Sequence, residues 1–136
     1  MLKTIGNPLL ILTNSLQYCQ AFRKIWKKGT YEKYECVYAI YLNRKREPVY
    51  YEMLNRGSYS ETNFDLRTAI YLAIIKNSSH IIIAHNHTSG NANPGEGDKP
   101  VTDRFLSVCR SLEINLVDHI IMTKDDYYSF RDHHLL

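Results

Sequence analysis

The spacing of apolar positions changes several times along the chain, and each change marks an element. Thr13 or Asn14 can N-cap a helix in which Tyr18, Phe22 and Ile25 recur at helical spacing, with Cys19 and Trp26 beside them. Gly29 is placed to end it, so Arg23, Lys24, Lys27 and Lys28 fall in its last two turns, where cations suit the helix dipole. Residues 34–42 are apolar on both faces apart from Glu35, the pattern of a central strand covered on both sides. A polar turn at 43–48 and a second strand at 49–54 predict an antiparallel hairpin. Asp65 then N-caps a helix with Leu66, Ile70, Ala73 and Ile74 on one side and Asn77 at its end. A strand follows at 80–85, then a loop rich in Gly and Asn. The next helix starts at Asp98, has Pro100 in its first turn and carries the stripe Val101, Phe105, Val108, Cys109, Leu112. Residues 114–122 read as a strand, 124–126 as a turn and 127–130 as a short final strand; residues 1–12 are a lead-in without a clear period.

The order α-β-β-α-β-α-β-β predicts an α/β (α+β) fold, a mixed sheet with helices packed on it. With 136 residues and no linker or repeat, the chain reads as one domain over 1–136. Composition narrows the function classes only a little. A net charge of +3 without a concentrated basic face gives weak support for nucleic acid, and Arg44, Lys45 and Arg46 read as an exposed hairpin tip. No apolar run nears the ~20 residues that span a bilayer, and no signal cleavage pattern follows the start. Cys19, Cys36 and Cys109 are odd in number, widely spaced and form no CxxC pair, which points to a reducing cytoplasm.

Chemistry concentrates between Ser79 and Asp98. His85 and His87 end an apolar strand at positions i and i+2, so their side chains share a face. Asp98 returns after ten residues at a helix start, where the dipole keeps a carboxylate ionised. Two imidazoles and a carboxylate are the ligand types zinc takes in sites that leave a fourth position open. Each residue also has a plain alternative, the histidines as surface polar groups and Asp98 as an ordinary N-cap. Hydrolysis at such a site needs a general base, usually a Glu. Glu32, Glu35, Glu47, Glu52, Glu61 and Glu96 are available, and periodicity does not choose among them. Glu35 has one physical argument: it is the only acid in an apolar strand, where an idle carboxylate is costly.

The string from His85 through Asn86, His87, Thr88 and Ser89 to Gly95 and Asp98 closely resembles the signature of RadC-like proteins, a branch of the JAMM/MPN metalloprotease-like fold. The resemblance runs from about Glu35 to Asp132 and includes Tyr41 to Asn43, Gly57, Thr62 to Arg67, Asp118 to Ile121 and Tyr128 to Phe130. It implies a JAMM/MPN-like (cytidine-deaminase-like) architecture, zinc held by His85, His87 and Asp98, and Glu35 as the base that activates water. The implied substrate is a peptide or isopeptide bond in an unidentified peptide or protein. Two positions depart from the pattern. Thr88 replaces a proline after the second His, and Gly95 stands where the family has a serine that donates to the oxyanion. Loss of such a donor commonly costs about 2.7 to 4 kcal/mol.

The resemblance also carries a DNA-repair label, but residues 1–30 show no helix-hairpin-helix repeat. The adjacent His85, Asn86 and His87 are not the dispersed residues of an HNH nuclease, and the P-C-x-x-C piece of zinc deaminases is absent. Two readings remain: a zinc hydrolase of metallopeptidase type weakened at Gly95, and a non-catalytic interaction module. DNA association through Arg23, Lys24, Lys27, Lys28 and Arg44 to Arg46 stays open beside them, and oligomeric state is unspecified.

Overall fold

The computed structural model describes residues 10–136, so most of the lead-in lies outside the described residues. Helix α1 spans Ser15–Ile25, and Asn14 caps it by accepting from the Gln17 N–H at 2.9 Å. The helix ends before Gly29 because Trp26 turns extended and buries its ring against Tyr31 and Tyr38. Lys27 and Lys28 therefore lie beyond the helix rather than in its last turn. Arg23 is occupied with the carbonyls of Thr123 and Asp126, 2.5 and 3.0 Å away.

Strands β1 (Cys36–Leu42) and β2 (Pro48–Arg56) form the expected hairpin. Helix α2 (Leu66–Ile75) starts at Asp65, whose side chain accepts from the Thr68 N–H at 3.0 Å. Asn77 takes a left-handed φ of 52° just past its end. Ile74 was expected on the inner side of α2, but it is 62% exposed. The helix is apolar on nearly every side, so its period does not say which face is buried. After α2 come β3 (His80–Asn86), α3 (Asp98–Ser111), β4 (Asn115–Met122) and β5 (Tyr127–Ser129).

The five strands make one mixed sheet in the order β2-β1-β3-β4-β5. The β3–β4 pair is parallel, joined through α3, and the other neighbours are antiparallel. Strands β1 and β3 lie between partners and are covered on both faces, which explains their unbroken apolar runs. On one face Val37, Ala39, Tyr41, Ile81 and Ile83 pack under Ala69, Ala73, Val101 and Phe105 of α2 and α3. On the other, Tyr38, Ile40, Ile82 and Ala84 pack under Tyr18 and Phe22 of α1. Among the described residues no helix is long and apolar enough to cross a membrane.

Register decides what stands at each end of the sheet. Val37 pairs with His85, and Leu42 pairs with His80. The hairpin tip with exposed Arg44 and Lys45 is therefore at the far end of the sheet from His85. Glu35 lies outside β1, which begins at Cys36, and it is half-buried. The cost of burying its charge is thus smaller than a full strand position would impose.

Candidate metal centre

The strand period of two places His85 and His87 on the α3 side of the sheet, at the C-terminal end of β3. This is where ligands collect in sheets with parallel strands, because the following helix begins there. Asp98 opens α3, but it is not the N-cap. That position is Gly97, which makes no side-chain cap bond. The Asp98 carboxylate instead turns toward the histidines and accepts from the Gly95 N–H at 2.8 Å. The plain alternative for Asp98 is thereby removed.

Three side chains converge. His85 Nε2 and His87 Nε2 are 3.1 Å apart, His87 Nε2 is 3.2 Å from Asp98 Oδ2, and His85 Nε2 is 3.4 Å from Asp98 Oδ1. Bonds of 2.0 to 2.1 Å in a tetrahedron imply ligand-to-ligand edges of about 3.3 Å. The three separations present, two of them to different oxygens of Asp98, are close to that length. The histidines' outer nitrogens are also engaged as metal-ligating imidazoles require. His87 Nδ1 lies 2.9 Å from the Asn91 carbonyl oxygen, which can only accept, so Nδ1 carries the hydrogen and neutral His87 leaves Nε2 bare. His85 Nδ1 lies 2.7 Å from His119 Nε2. These residues fit a divalent metal.

Electrostatics agree. Burial would raise the Asp98 carboxyl, but the imidazoles of His85 and His87 beside it and the bond from the Gly95 N–H hold it well below the ordinary carboxylate range. Burial lowers His85, which stays neutral. The Asp98 bond raises His87, the one imidazole of the pair with appreciable exposure, at 18% of its side chain. The centre thus opens toward solvent on the His87 side. The loop of residues 88–97 is held there by Ala92, which packs on Ile121 and Phe130. Ser89 bonds to the Asn91 N–H at 3.2 Å, and so serves the loop itself.

The backbone on either side of Glu35 is tied to the strand that carries the histidines through Asn86, the residue between them. Its side chain points to the other side of β3 and is fully buried. Asn86 Oδ1 accepts from the Cys36 N–H at 2.9 Å, and its Nδ2 donates to the carbonyls of Tyr34 and Tyr31 at 2.9 and 2.8 Å. The two neighbours of Glu35 are therefore clamped to the strand that carries the ligands. Continuing the β1–β3 register by two residues puts Glu35 opposite His87, and the Glu35 charge raises the proton affinity of both imidazoles. Cys19, Cys36 and Cys109 are free, buried thiols outside the cluster; burial pushes Cys36 and Cys109 up to about 12.

Several participants escaped the reading of periodicity. Asn86, Tyr59, Thr102 and His119 are buried polar groups behind the ligands. The available signal was a polar pair, Asp118 and His119, inside the otherwise apolar run of β4.

Comparison with known proteins decides the family. The family model described as the RadC-like JAB domain matches residues 12–135. The chain belongs to this family. Among curated relatives of this RadC-like JAB domain, UPF0758 protein YfjY of Escherichia coli is 35% identical over 97 residues, covering 71% of this chain and 61% of that protein. A UPF0758 protein of Chlorobaculum parvum is 38% identical over 106 residues, covering 77% of this chain and 47% of the relative. The match thus spans about half the length of these relatives, and the RadC-like domain is the part they share with this chain.

Proposed function

We propose that this RadC-like JAB domain is a zinc-dependent hydrolase of metallopeptidase type that acts on a peptide or isopeptide bond. The observation that carries the reading is the convergence of His85 Nε2, His87 Nε2 and the Asp98 carboxylate within 3.1 to 3.4 Å. When bound, zinc polarises a carbonyl and brings the pKa of water to about 7. His85 and Asp98 hold their ligand atoms from rigid elements, one on a central strand and the other on the first residue of α3. Glu35 takes a proton from the attacking water onto its carboxylate and passes it to the leaving amine. The clamp of Asn86 on Tyr34 and Cys36, the two neighbours of Glu35, supports this role by fixing that backbone against the strand that carries the histidines.

Gly95 favours a second reading, a module that keeps the fold, with or without the metal, and binds a partner without cleaving it. The hydrolase reading needs the metal, so metal is tested first. Purified protein loaded with zinc and then dialysed should retain about one zinc per chain, and His87→Ala should lose most of it. Elemental analysis showing equal zinc in the two proteins, or none in the parent, would remove the site.

A further inference from the structure

Behind His85 runs a buried chain of polar groups whose protons can be assigned one at a time. Thr102 Oγ1 lies 3.0 Å from the Asp98 carbonyl oxygen, an acceptor only, and the relay follows from placing the single hydroxyl hydrogen on that bond. Thr102 Oγ1 can then only accept from its other neighbours, the Tyr59 hydroxyl at 2.8 Å and His119 Nδ1 at 2.6 Å. His119 Nδ1 must carry a hydrogen. His119 is fully buried and, among the described residues, bonds only to Thr102 and His85 through its ring, with no carboxylate to support a charge. With its hydrogen on Nδ1 directed at Thr102, the uncharged ring offers a bare Nε2. That Nε2 stands 2.7 Å from His85 Nδ1, which must be the donor. The assignment ends at His85 Nε2, which is left with an open lone pair.

We propose that His119, Thr102 and Tyr59 are positioning residues that lock His85 in the tautomer with hydrogen on Nδ1, so that Nε2 faces the centre ready to ligate. The inference rests on the metal reading above for its purpose, while the proton assignment stands in metal-free protein. Two ring contacts fix the orientation as the relay fixes the tautomer. Tyr59 stacks on His85 at 4.7 Å and 17°, and Phe130 stacks on His119 at 4.4 Å and 24°. A histidine serving only as core filler between Tyr59 and Phe130 would do neither job, and an apolar ring would replace it without effect on ligation. The opposite proton order would place a hydrogen on His85 Nε2 and aim it into the ligand triangle.

The test has two independent readouts. Long-range ¹⁵N–¹H NMR of the metal-free protein should show His85 protonated on Nδ1 and bare on Nε2. Zinc affinity, measured by competition with a chelating dye, should weaken 10- to 100-fold in His119→Leu. In His119→Gln, whose side-chain oxygen can still accept from His85, affinity should fall within about threefold of the parent, well inside that second-shell range. Hydrogen on His85 Nε2 in the metal-free parent overturns the proposal, as does a folded His119→Leu with unchanged affinity. If the parent binds no zinc, the metal reading fails on its own, and the tautomer spectrum alone then decides the relay. If His119→Leu does not fold, the parent spectrum and His119→Gln still decide it.

Discussion

At position 95 a side chain would begin beside a ligand. A Cβ there would lie 3.6 Å from Asp98 Oδ2, an ordinary contact, and the backbone is not left-handed, so a serine fits without displacing Asp98. Gly95→Ser should therefore fold and bind zinc as the parent does. If the domain is a weakened enzyme, cleavage of a test peptide by the zinc-loaded variant should rise by up to about 10² to 10³. No gain in a properly loaded variant would favour the interaction module. Protonation is the other effect decided residue by residue. His85 and His119 are both held below the ordinary histidine value by burial. Below pH ~6.5 the unfolded chain takes up protons that the folded chain refuses, so stability falls with pH by about 1.4 kcal/mol per unit for each histidine. His87 works the other way: its pKa is raised, so its stabilisation is complete below the unfolded value and is lost as pH rises through the folded one. Metal-free protein should melt at lower temperature at pH 5.5 than at pH 7. A flat or rising melting temperature over that interval would contradict two neutral buried imidazoles. The ligands were legible as residues because strand period and helix start are local signals. His119 and Thr102 were not, because their partners come from different elements and meet only when α3 lies on the sheet.

At the scale of elements, Asn86 joins β3 to the segment before β1. With three hydrogen bonds from one buried amide, Asn86→Ala would leave Cys36 N–H and two carbonyls without their partner. Each unsatisfied buried group costs roughly 1 to 3 kcal/mol. The expected result is faster hydrogen exchange at the Cys36 amide and through residues 31–36, with zinc still bound. Unchanged exchange would mean that Glu35 is held by something else. The sequence pattern gave every strand and helix in the right order, since each has a run of apolar residues long enough to show its period. The boundaries that moved did so for tertiary reasons. Trp26 stops α1 to reach Tyr31 and Tyr38. Glu35 drops out of β1 at the point where pairing with β2 and β3 begins, at Cys36 and Val37.

Over the whole molecule, the two structural units contribute different chemistry. The parallel unit β3-α3-β4, with His87 just past the end of β3, supplies the three side chains that could hold a metal, together with Thr102 and His119, and Glu35 lies in the segment leading into the antiparallel hairpin. The α3 helix makes the first unit rigid by burying Val101, Phe105 and Cys109 against the sheet, so Asp98 and Thr102 move only if the helix does. What the sequence could not reveal is this division, because it depends on strand order rather than on any one stretch.

Along β3 neighbouring residues have opposite duties: His85 and His87 look toward α3, while Asn86 looks away and grips the Glu35 segment. Losing or gaining a single residue within this strand would exchange those duties, separating the histidines from Asp98 and releasing the Glu35 segment together. The loop 88–97 carries no such constraint, since it lies outside the sheet and meets the centre only near Asn91 and Gly95. Substitution in the loop, Gly95 included, is therefore tolerated more easily than any change in the length of the strand.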